Sequence, residues 1–276
     1  MKVLTRAAAA ALCLLMLSCG SGIYADPPNY DHIVIVIEEN KSATQVESGA
    51  YMTSLKAGGA YMAQSYGIAH PSQPNYIALF SGSLNGVTDN TQHDNINAPN
   101  LAKSLIDAGL TFATFSEGLP AAGSAVWESG KYARRHNPCA SFAGLPQSSV
   151  NLPFGSFPSD YTSLPTVSFV VPNLDNDMHD GSVAQGDAWL QANLGGYAQW
   201  ALNHNSLLVV TFDEPDGAAP VATTPIYTAF SGAGVKQTVS NIPVNHYSLL
   251  RLLDKIYGLP YLGEDGQAQE IKGIWN

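Results

Sequence analysis

Polar and acidic side chains follow three apolar runs of the sequence, each at the point where the run ends. The clusters are Glu38, Glu39 and Asn40 after residues 32–37, Asn173, Asp175, Asp177, His179 and Asp180 after residues 166–171, and Asp213 and Glu214 after residues 207–211. Ligands of open α/β sheets bind beyond the carboxyl ends of the strands, so we expect these clusters to converge. Hard oxygen ligands with a histidine suit a divalent cation. The pattern therefore favours a metal site over solvated loops.

The adjacent acids Asp213 and Glu214 come at the end of a run that is typical of a buried strand. Two neighbouring carboxylates repel each other unless a cation or a proton lies between them. A divalent cation would remove this repulsion. The alternative is that one acid faces water while the other caps the next turn.

The segment 175–181 has the composition of a calcium loop. An EF-hand requires acidic or amide residues at loop positions 1, 3 and 5 and a glycine at position 6. Counted from Asp175, Gly181 falls at position 7, so the EF-hand pattern fails. His179 among carboxylates favours a borderline ion or a contact with phosphate, and a simple polar turn is the alternative.

Ser72 precedes the apolar stretch 77–80 and is predicted to lie at a helix N-terminus. There the helix dipole and the free backbone N–H groups would stabilise an attacking alkoxide and bind an oxyanion such as phosphate. Ser72 is therefore a candidate nucleophile. The alternative is that Ser-x-Pro marks an ordinary capped helix entry.

His246 is predicted to lie at the start of another helix, directly after Asn245, which is a good capping residue. The positive end of the helix dipole disfavours imidazolium, and a neutral imidazole is a good ligand. His246 is thus either a ligand or a structural histidine.

Apolar runs of strand type alternate with helical patterns along the chain. The predicted strands are 32–37, 111–115, 166–171, 207–211 and 226–230, and the predicted helices are 100–108, 187–203 and 246–257. The first run is apolar at successive positions, which is typical of a strand buried on both faces. The alternation predicts a three-layer α/β/α sandwich with a mostly parallel central sheet. Residues 136–165 are predicted to form an extended surface loop, which either overhangs the site or only decorates the surface.

The 276-residue chain is 45% hydrophobic but only 12% charged, whereas globular proteins usually have about 25% charged residues. Its 12 Lys and Arg against 22 Asp and Glu give a formal net charge of −10, which would repel a nucleic acid backbone. This argues against a general DNA or RNA binder. The apolar content supports one folded domain over residues 26–276, with two domains as the alternative.

The first 25 residues have the features of an export signal. Lys2 and Arg6 precede the apolar run 7–17, and no acidic residue occurs in this segment. The run is shorter than the roughly 20 residues that a spanning helix needs, so a retained anchor is the weaker alternative. Cleavage after Ala25 would release a secreted or periplasmic protein with no integral membrane segment. Lipoprotein processing at Cys19 is the alternative.

Cys139 is the only cysteine outside the predicted signal, so the folded part cannot form an intramolecular disulfide. Its thiol is either a nucleophile or a small buried group. Stability must therefore come from the hydrophobic core.

Five motifs along the chain carry a family resemblance. They are HIVIVIEENKS (32–42), HPSQPNYIALFSG (70–82), PNLDNDMHDGS (172–182), TFDE (211–214) and NHYSLLRLLDKIYGLP (245–260). In this order they resemble the bacterial acid phosphatase and phospholipase C phosphoesterase family, which belongs to the alkaline phosphatase superfamily. The resemblance covers nearly all of the chain after the predicted signal. It implies an alkaline-phosphatase-like fold and a metal-dependent phosphoester hydrolase.

The resemblance also implies roles for individual residues, with Ser72 attacking phosphorus to form a phosphoserine that water then hydrolyses. The implied metal-binding residues are Glu39, Asn40, Asp213 and Glu214. The residues that match positions binding a second metal, or contacting phosphate and leaving group, are His179, Asp180 and His246. The residues that match supporting or substrate-contacting positions are His70, Asn75 and His136. The implied cofactor is one or two divalent metal ions, which would activate the Ser72 hydroxyl and neutralise charge on the phosphoryl oxygens.

The expected substrate is a small phosphomonoester, because the chain is short beside the larger phospholipases of the family. A phospholipase C or phosphodiesterase activity at the same site is the alternative. A metal-free serine esterase could combine Ser72 with His246, but the sequence contains no Gly-x-Ser-x-Gly elbow. A non-catalytic cation-binding or adhesion protein fits the acidic balance and leaves Ser72 without a role.

Overall fold

A computed structural model describes residues 24–217 and 219–276 of the chain. Its strands are β1 (His32–Glu38), β2 (Ala60–Met62), β3 (Ser65–Tyr66), β4 (Phe112–Ser116), β5 (Glu128–Ser129), β6 (Tyr132–Ala133), β7 (Asn151–Pro153), β8 (Val167–Val171), β9 (Ser206–Phe212), β10 (Thr228–Gly232), β11 (Thr238–Ser240) and β12 (Val244–Asn245). Its α-helices are α1 (Ala50–Gly58), α2 (Ser72–Ser81), α3 (Leu101–Asp107), α4 (Gln147–Val150), α5 (Val183–Ala201) and α6 (His246–Tyr257). The predicted export signal, with Cys19, falls almost wholly outside the described residues. Within them, no helix has both the length and the apolar character to cross a membrane.

The central sheet of the described chain has eight strands, in the order β11-β2-β10-β9-β1-β8-β4-β7. β1 lies near its centre and pairs in parallel with both β8 and β9. β10 runs antiparallel to its two neighbours, β9 and β2, whereas the other pairs of this sheet are parallel. The mostly parallel sheet predicted from the alternating pattern is therefore confirmed.

Side chains of β1 alternate between two hydrophobic cores, one on each face of the sheet. Ile33, Ile35 and Ile37 pack in a core with residues of α2, α3 and α6. Val34 and Val36 pack in a second core with residues of α1 and α5. Successive strand residues point to opposite faces, so a run that is apolar at every position fills both cores. The three-layer α/β/α sandwich is confirmed.

The helix α6 has local signals at both of its ends. Asn245 Oδ1 accepts from the Ser248 backbone N–H, and the Ser248 hydroxyl accepts from the Asn245 backbone N–H. This capping box satisfies donors of the first turn. Gly258 ends the helix with φ 63°, a left-handed conformation that favours glycine. The helix therefore begins and ends where the sequence predicts.

Residues 136–165 do not form the extended surface loop that the sequence predicts. They contain α4 and the edge strand β7, which pairs in parallel with β4 through Asn151 opposite Thr114. Cys139 in this segment is fully buried, as expected for a small structural group. A three-residue strand is too short to show a period, so only its pairing with β4 reveals it.

Candidate active site

The loops that follow β9, β1 and β8 meet at the carboxyl edge of the central sheet. These three strands are neighbours and parallel, so their ends lie side by side. The Glu39 backbone N–H donates to Asp177 O at 2.8 Å, and the Asp213 backbone N–H donates to Glu38 O at 3.0 Å. Backbone hydrogen bonds thus join the three polar clusters into one continuous surface, which we call the floor of the site.

Ser72 is the first residue of α2, and its side chain is buried against this floor. The hydroxyl donates to Glu39 Oε2 at 3.0 Å and lies 3.4 Å from Glu214 Oε1. The helix N-cap is Pro71, which makes no side-chain cap. The Ser72 hydroxyl is therefore directed at carboxylates of two loops, at the end of a helix where an anion is favoured.

The Glu39 carboxylate is the centre of the arrangement. One oxygen, Oε2, accepts from Ser72, and the other, Oε1, accepts from the Tyr76 hydroxyl at 2.5 Å. Tyr76 lies four residues after Ser72, so both side chains project from one face of α2. The His136 ring stacks on the Tyr76 ring, with centroids 5.2 Å apart. Together these contacts hold the carboxylate in one orientation.

Asp177, which the sequence places in the acidic cluster after β8 but which the family resemblance gave no individual role, forms a metal-compatible group with Glu39 and His136. His136 Nδ1 lies 3.2 Å from Asp177 Oδ2, and His136 Nε2 lies 3.3 Å from Glu39 Oε1. One ligand atom from each residue lies within 4.8 Å of the others. His136 Nε2 is buried and makes no hydrogen bond of good geometry. Two carboxylates and an imidazole with an unpartnered nitrogen fit a divalent cation.

Asp213 and Asn40 form a second part of the floor. Asp213 Oδ1 accepts from the Asn40 backbone N–H at 2.9 Å, whereas Asp213 Oδ2 is buried without a hydrogen-bond partner. A buried carboxylate oxygen without a donor is costly unless a proton or a cation neutralises it. The donor set around Ser72 therefore also fits a divalent cation.

Buried carboxyl groups are concentrated at this edge of the sheet. They are Glu38, Glu39, Asp177, Asp213 and Glu214. Burial, followed by repulsion from Asp213, raises the pKa of Glu39 well above its ordinary value. Burial raises the pKa of Asp213 to about 7, and burial with repulsion from Asp213 raises the pKa of Glu214 to about 9. A bound cation would favour the ionised carboxylates instead and reverse these shifts.

His179 and Asp180 lie at the rim of the site and not within the buried group. Their side chains are 30% and 41% exposed, and His179 Nδ1 lies 2.8 Å from Asp180 Oδ1. Lys131 Nζ donates to Asp180 Oδ2 at 3.1 Å. The His179 ring centroid is 5.9 Å from that of His136. His179 is thus placed to meet a group that enters from solvent, whereas Asp180 is engaged by a lysine.

His246 begins α6 and is buried behind Asp213. Its Nε2 lies 2.5 Å from the Asp213 backbone carbonyl, so this nitrogen carries the hydrogen. Burial lowers the pKa of His246 to about 4, with the hydrogen bond to Asp213 acting in the opposite direction. The imidazole is therefore neutral at physiological pH, as the position at a helix start favours.

His70 and Asn75 both contact Glu214. His70 Nδ1 lies 2.8 Å from Glu214 Oε2, and Asn75 Nδ2 donates to the same oxygen at 3.2 Å. Asn75 Oδ1 also accepts from the backbone N–H groups of Ile68 and Ala69. The Asn75 side chain therefore braces the turn before α2 and orients Glu214 at the same time.

Lys41 ties two loops of the site together, a contact that the sequence analysis missed. Its Nζ donates to Asn40 O at 3.2 Å and to Met178 O at 2.8 Å. Asn40 and Met178 both have left-handed backbones, with φ 52° and φ 75°. For Tyr76, which was also missed, the four-residue spacing from Ser72 was an available signal. For Lys41 no such signal exists, because its partners are backbone carbonyls, one of them in a distant segment.

Comparison with known sequences identifies the protein family to which this chain belongs. The profile of the Phosphoesterase family matches residues 44–260. Over 254 residues the chain is 49% identical to a phosphatidylinositol-3-phosphatase of Mycobacterium tuberculosis, an alignment that covers 90% of this chain and 84% of the relative. It is 27% identical to an acid phosphatase of Aspergillus fumigatus over 82% of this chain, although it spans only 54% of that longer protein. The protein is a hydrolase of phosphoester bonds. It belongs to the Phosphoesterase family.

Solved structures show the same fold at low sequence identity. A protein of the alkaline phosphatase superfamily from Vibrio parahaemolyticus superposes with a TM-score of 0.57 and 12% identity, over 89% of this chain and 72% of that one. Murine ectonucleotide pyrophosphatase/phosphodiesterase 5 also gives a TM-score of 0.57, at 11% identity, over 83% of this chain and 96% of that one. The predicted alkaline-phosphatase-like architecture is therefore confirmed.

Proposed function

We propose that the protein is an exported, metal-dependent phosphomonoesterase that works through a phosphoserine on Ser72. The observation that carries this proposal is the Ser72 hydroxyl at the N-terminus of α2, 3.0 Å from the buried carboxylate of Glu39. A serine in this position faces a cluster of acidic side chains that attracts a cation. The N-terminal end of the helix favours binding of the phosphate that the serine would attack. Export rests on Lys2, Arg6 and the apolar run that follows them.

The metal-binding residues that we propose are Glu39, Asn40, Asp213 and Glu214 around Ser72, with His136 and Asp177 beside Glu39 and His246 behind Asp213. When bound, a divalent cation supplies charge neutralisation for the phosphoryl oxygens and for the ionised serine. The number of ions is one or two. This assignment is supported by two buried atoms that have no hydrogen-bond partner, Asp213 Oδ2 and His136 Nε2.

The chain's own groups account for the two chemical steps. Ser72 Oγ loses its proton toward the carboxylates to which it is already directed, bonds to phosphorus and displaces the alcohol of the ester. The leaving oxygen takes up a proton, for which we propose His179 at the solvent-facing rim. Water then attacks phosphorus and gives one proton to His179, which restores the proton that this residue donated. The bond to Ser72 Oγ breaks, and the serine oxygen recovers the proton held by the carboxylates as phosphate leaves.

Phosphomonoesters are the proposed substrate class. A second candidate within this class is a phosphatidylinositol phosphate, and it is favoured by the relative from Mycobacterium tuberculosis, which is named a phosphatidylinositol-3-phosphatase and shares 49% identity over 90% of this chain. Both substrates present a terminal phosphate to Ser72, so they require the same chemistry and differ in the group that must be accommodated beyond it.

The test is the initial rate of p-nitrophenol release from p-nitrophenyl phosphate by the full chain. We expect Ser72→Ala to reduce the rate by at least 1,000-fold, on the order of what loss of a nucleophile costs. Ser54→Ala, on the exposed face of α1, is the matched control and should retain full activity. A chelated sample should lose activity and regain it with added divalent metal. Retained activity in Ser72→Ala or in the chelated protein would contradict the proposal.

A further inference from the structure

An apolar groove lies on the outer side of α1, next to the edge of the central sheet. Its volume is about 380 Å³, within the range of about 300–1,000 Å³ that small-molecule pockets occupy. Val46 and Tyr227 form a buried floor, and Thr53 and Ala57 of α1 form one wall. At the outer end Val239 of β11 is 56% exposed. A concave surface lined mainly by apolar side chains is suited to an apolar ligand.

The groove begins close to the Ser72 site. Ala43 lines it and lies three residues after Asn40, so the two Cα atoms are at most about 11 Å apart even in a fully extended chain. Tyr227 directly precedes β10, the neighbour of the strand that ends next to Asp213. Adjacent strands are spaced by about 4.8 Å, so the inner end of the groove lies about one strand away from that acid.

The groove then extends away from the site. Val239 belongs to β11, which lies three strands beyond β9 in the sheet. Three strand spacings place this outer end about 14 Å from β9. A ligand that fills the groove would therefore be long and narrow, with one end pointing toward Ser72.

A polar cavity adjoins the groove, because Ser42 and Gln45 of its lining directly precede the groove residues Ala43 and Val46 in the chain. Ser42, Gln45 and Asp216 line a shallow cavity of about 440 Å³ there, together with Ala219. The Ala219 carbonyl contacts His70 Nε2 at 2.8 Å, so this cavity adjoins the site directly. From the serine outward, the order is phosphate position, polar cavity, apolar groove.

We propose that this groove binds one acyl chain of a phospholipid whose terminal phosphate occupies the Ser72 site. The proposal rests on the function proposed above and specifies where the lipid part of such a substrate lies. A phospholipid with a phosphorylated headgroup has the same order of parts as the protein surface: a phosphate, a hydroxyl-rich unit and an aliphatic chain. The polar cavity would contact the hydroxyl-rich unit, and the groove would remove the chain from water.

The test compares monomeric phosphatidylinositol 3-phosphate carrying two butanoyl or two octanoyl chains, with p-nitrophenyl phosphate as the chain-free substrate. Burial of one methylene changes affinity by about fourfold. We expect kcat/KM of the wild type to rise at least tenfold from the butanoyl to the octanoyl lipid. Ala57→Trp fills the groove from an exposed helix position and should abolish this gain while leaving p-nitrophenyl phosphate hydrolysis within twofold. Ala50→Trp, exposed on the same helix but outside the groove, should keep both the gain with chain length and the rate of p-nitrophenyl phosphate hydrolysis.

A binding measurement separates the groove from the chemistry. Calorimetric titration of Ser72→Ala with the octanoyl lipid should show at least tenfold tighter binding than with the butanoyl lipid, and Ala57→Trp in this background should remove the difference. If chain length has no effect on binding or if Ala57→Trp retains the full effect, the groove is not the acyl site. If the wild type hydrolyses none of the three esters while chain-dependent binding persists, the proposed function fails and the groove assignment stands.

Discussion

The Tyr76 hydroxyl donates to Glu39 Oε1 at 2.5 Å, while Ser72, one helical turn earlier, donates to the other oxygen of the same carboxylate. The helix that presents the proposed nucleophile therefore also orients the acid beneath it. A displacement of α2 would break both contacts together, so the two hydrogen bonds jointly fix the position of α2 against the Glu39 carboxylate.

Tyr76→Phe is expected to reduce kcat about tenfold, because a hydrogen bond to a charged group contributes roughly 1.5–3 kcal/mol and about 1.36 kcal/mol corresponds to a factor of ten. The measurement is kcat and KM for p-nitrophenyl phosphate. Tyr257→Phe, which removes a hydroxyl bonded to the Tyr30 carbonyl, is the matched control and should leave kcat unchanged. Equal effects of the two variants would show that the Glu39 contact is not special.

Asp177→Asn should weaken metal binding at least tenfold, because it replaces one of two carboxylates in the group with Glu39 and His136 by a neutral amide. Burial raises the pKa of Asp177 well above its ordinary value, so the amide mimics the protonated acid and should leave the melting temperature of the chelated protein nearly unchanged. Titration calorimetry with Mn²⁺, Mg²⁺, Ca²⁺ and Zn²⁺ measures the affinity. Asp175→Asn, on an exposed acid paired with Lys131, is the control. Unaltered affinity for every metal in Asp177→Asn would exclude this group as a cation site.

Asp254 is expected to make the protein less stable as pH rises. All four carboxyl oxygens of Asp254 and Asp265 are buried without a hydrogen-bond partner, and burial with the contact to Asp265 raises the pKa of Asp254 from 3.8 to about 9. The folded state therefore binds a proton that the unfolded state releases. The contribution of protonated Asp254 to the free energy of unfolding is fully present below pH 3.8 and is lost as pH rises toward about 9. Urea unfolding at about pH 5, 7 and 9 measures the free energy of unfolding. This free energy should fall less steeply with pH in Asp254→Asn than in the wild type. Parallel declines would refute this, and Asp107→Asn on the exposed face of α3 is the control.

Gly82→Ala should destabilise the protein more than Gly109→Ala. Both glycines have left-handed backbones, with φ 68° and φ 78°. A methyl group at Gly82, which ends α2, would overlap the Leu262 carbonyl, whereas a methyl group at Gly109 would meet open space. Strain alone costs about 1–2 kcal/mol, so Gly109→Ala should show that loss and Gly82→Ala a larger one. Urea unfolding of both variants checks the order, which equal losses would contradict.

Local patterns were sufficient for the elements that carry the site. The uninterrupted apolar run of β1 predicted a strand buried on both faces, and the acids after β1, β8 and β9 predicted a polar edge, because parallel strands end on the same side of a sheet. Asn245 and Gly258 marked the ends of α6 through capping chemistry that acts within a few residues. These signals are short-range, and a sequence displays short-range signals directly.

The partners within the site depended on the tertiary structure. Three of these contacts join segments far apart in the chain. They are the stacking of His136 on Tyr76, the contact of His136 with Asp177, and the hydrogen bond from Lys41 to the Met178 carbonyl. The same holds for β7, whose three residues become a strand only through hydrogen bonds to β4. Such contacts are selected by packing between layers and by burial of polar groups, which depend on the distances between whole elements. The amino-acid sequence by itself determined which chemical groups reach the edge of the sheet, and only the folded arrangement decided which of them touch.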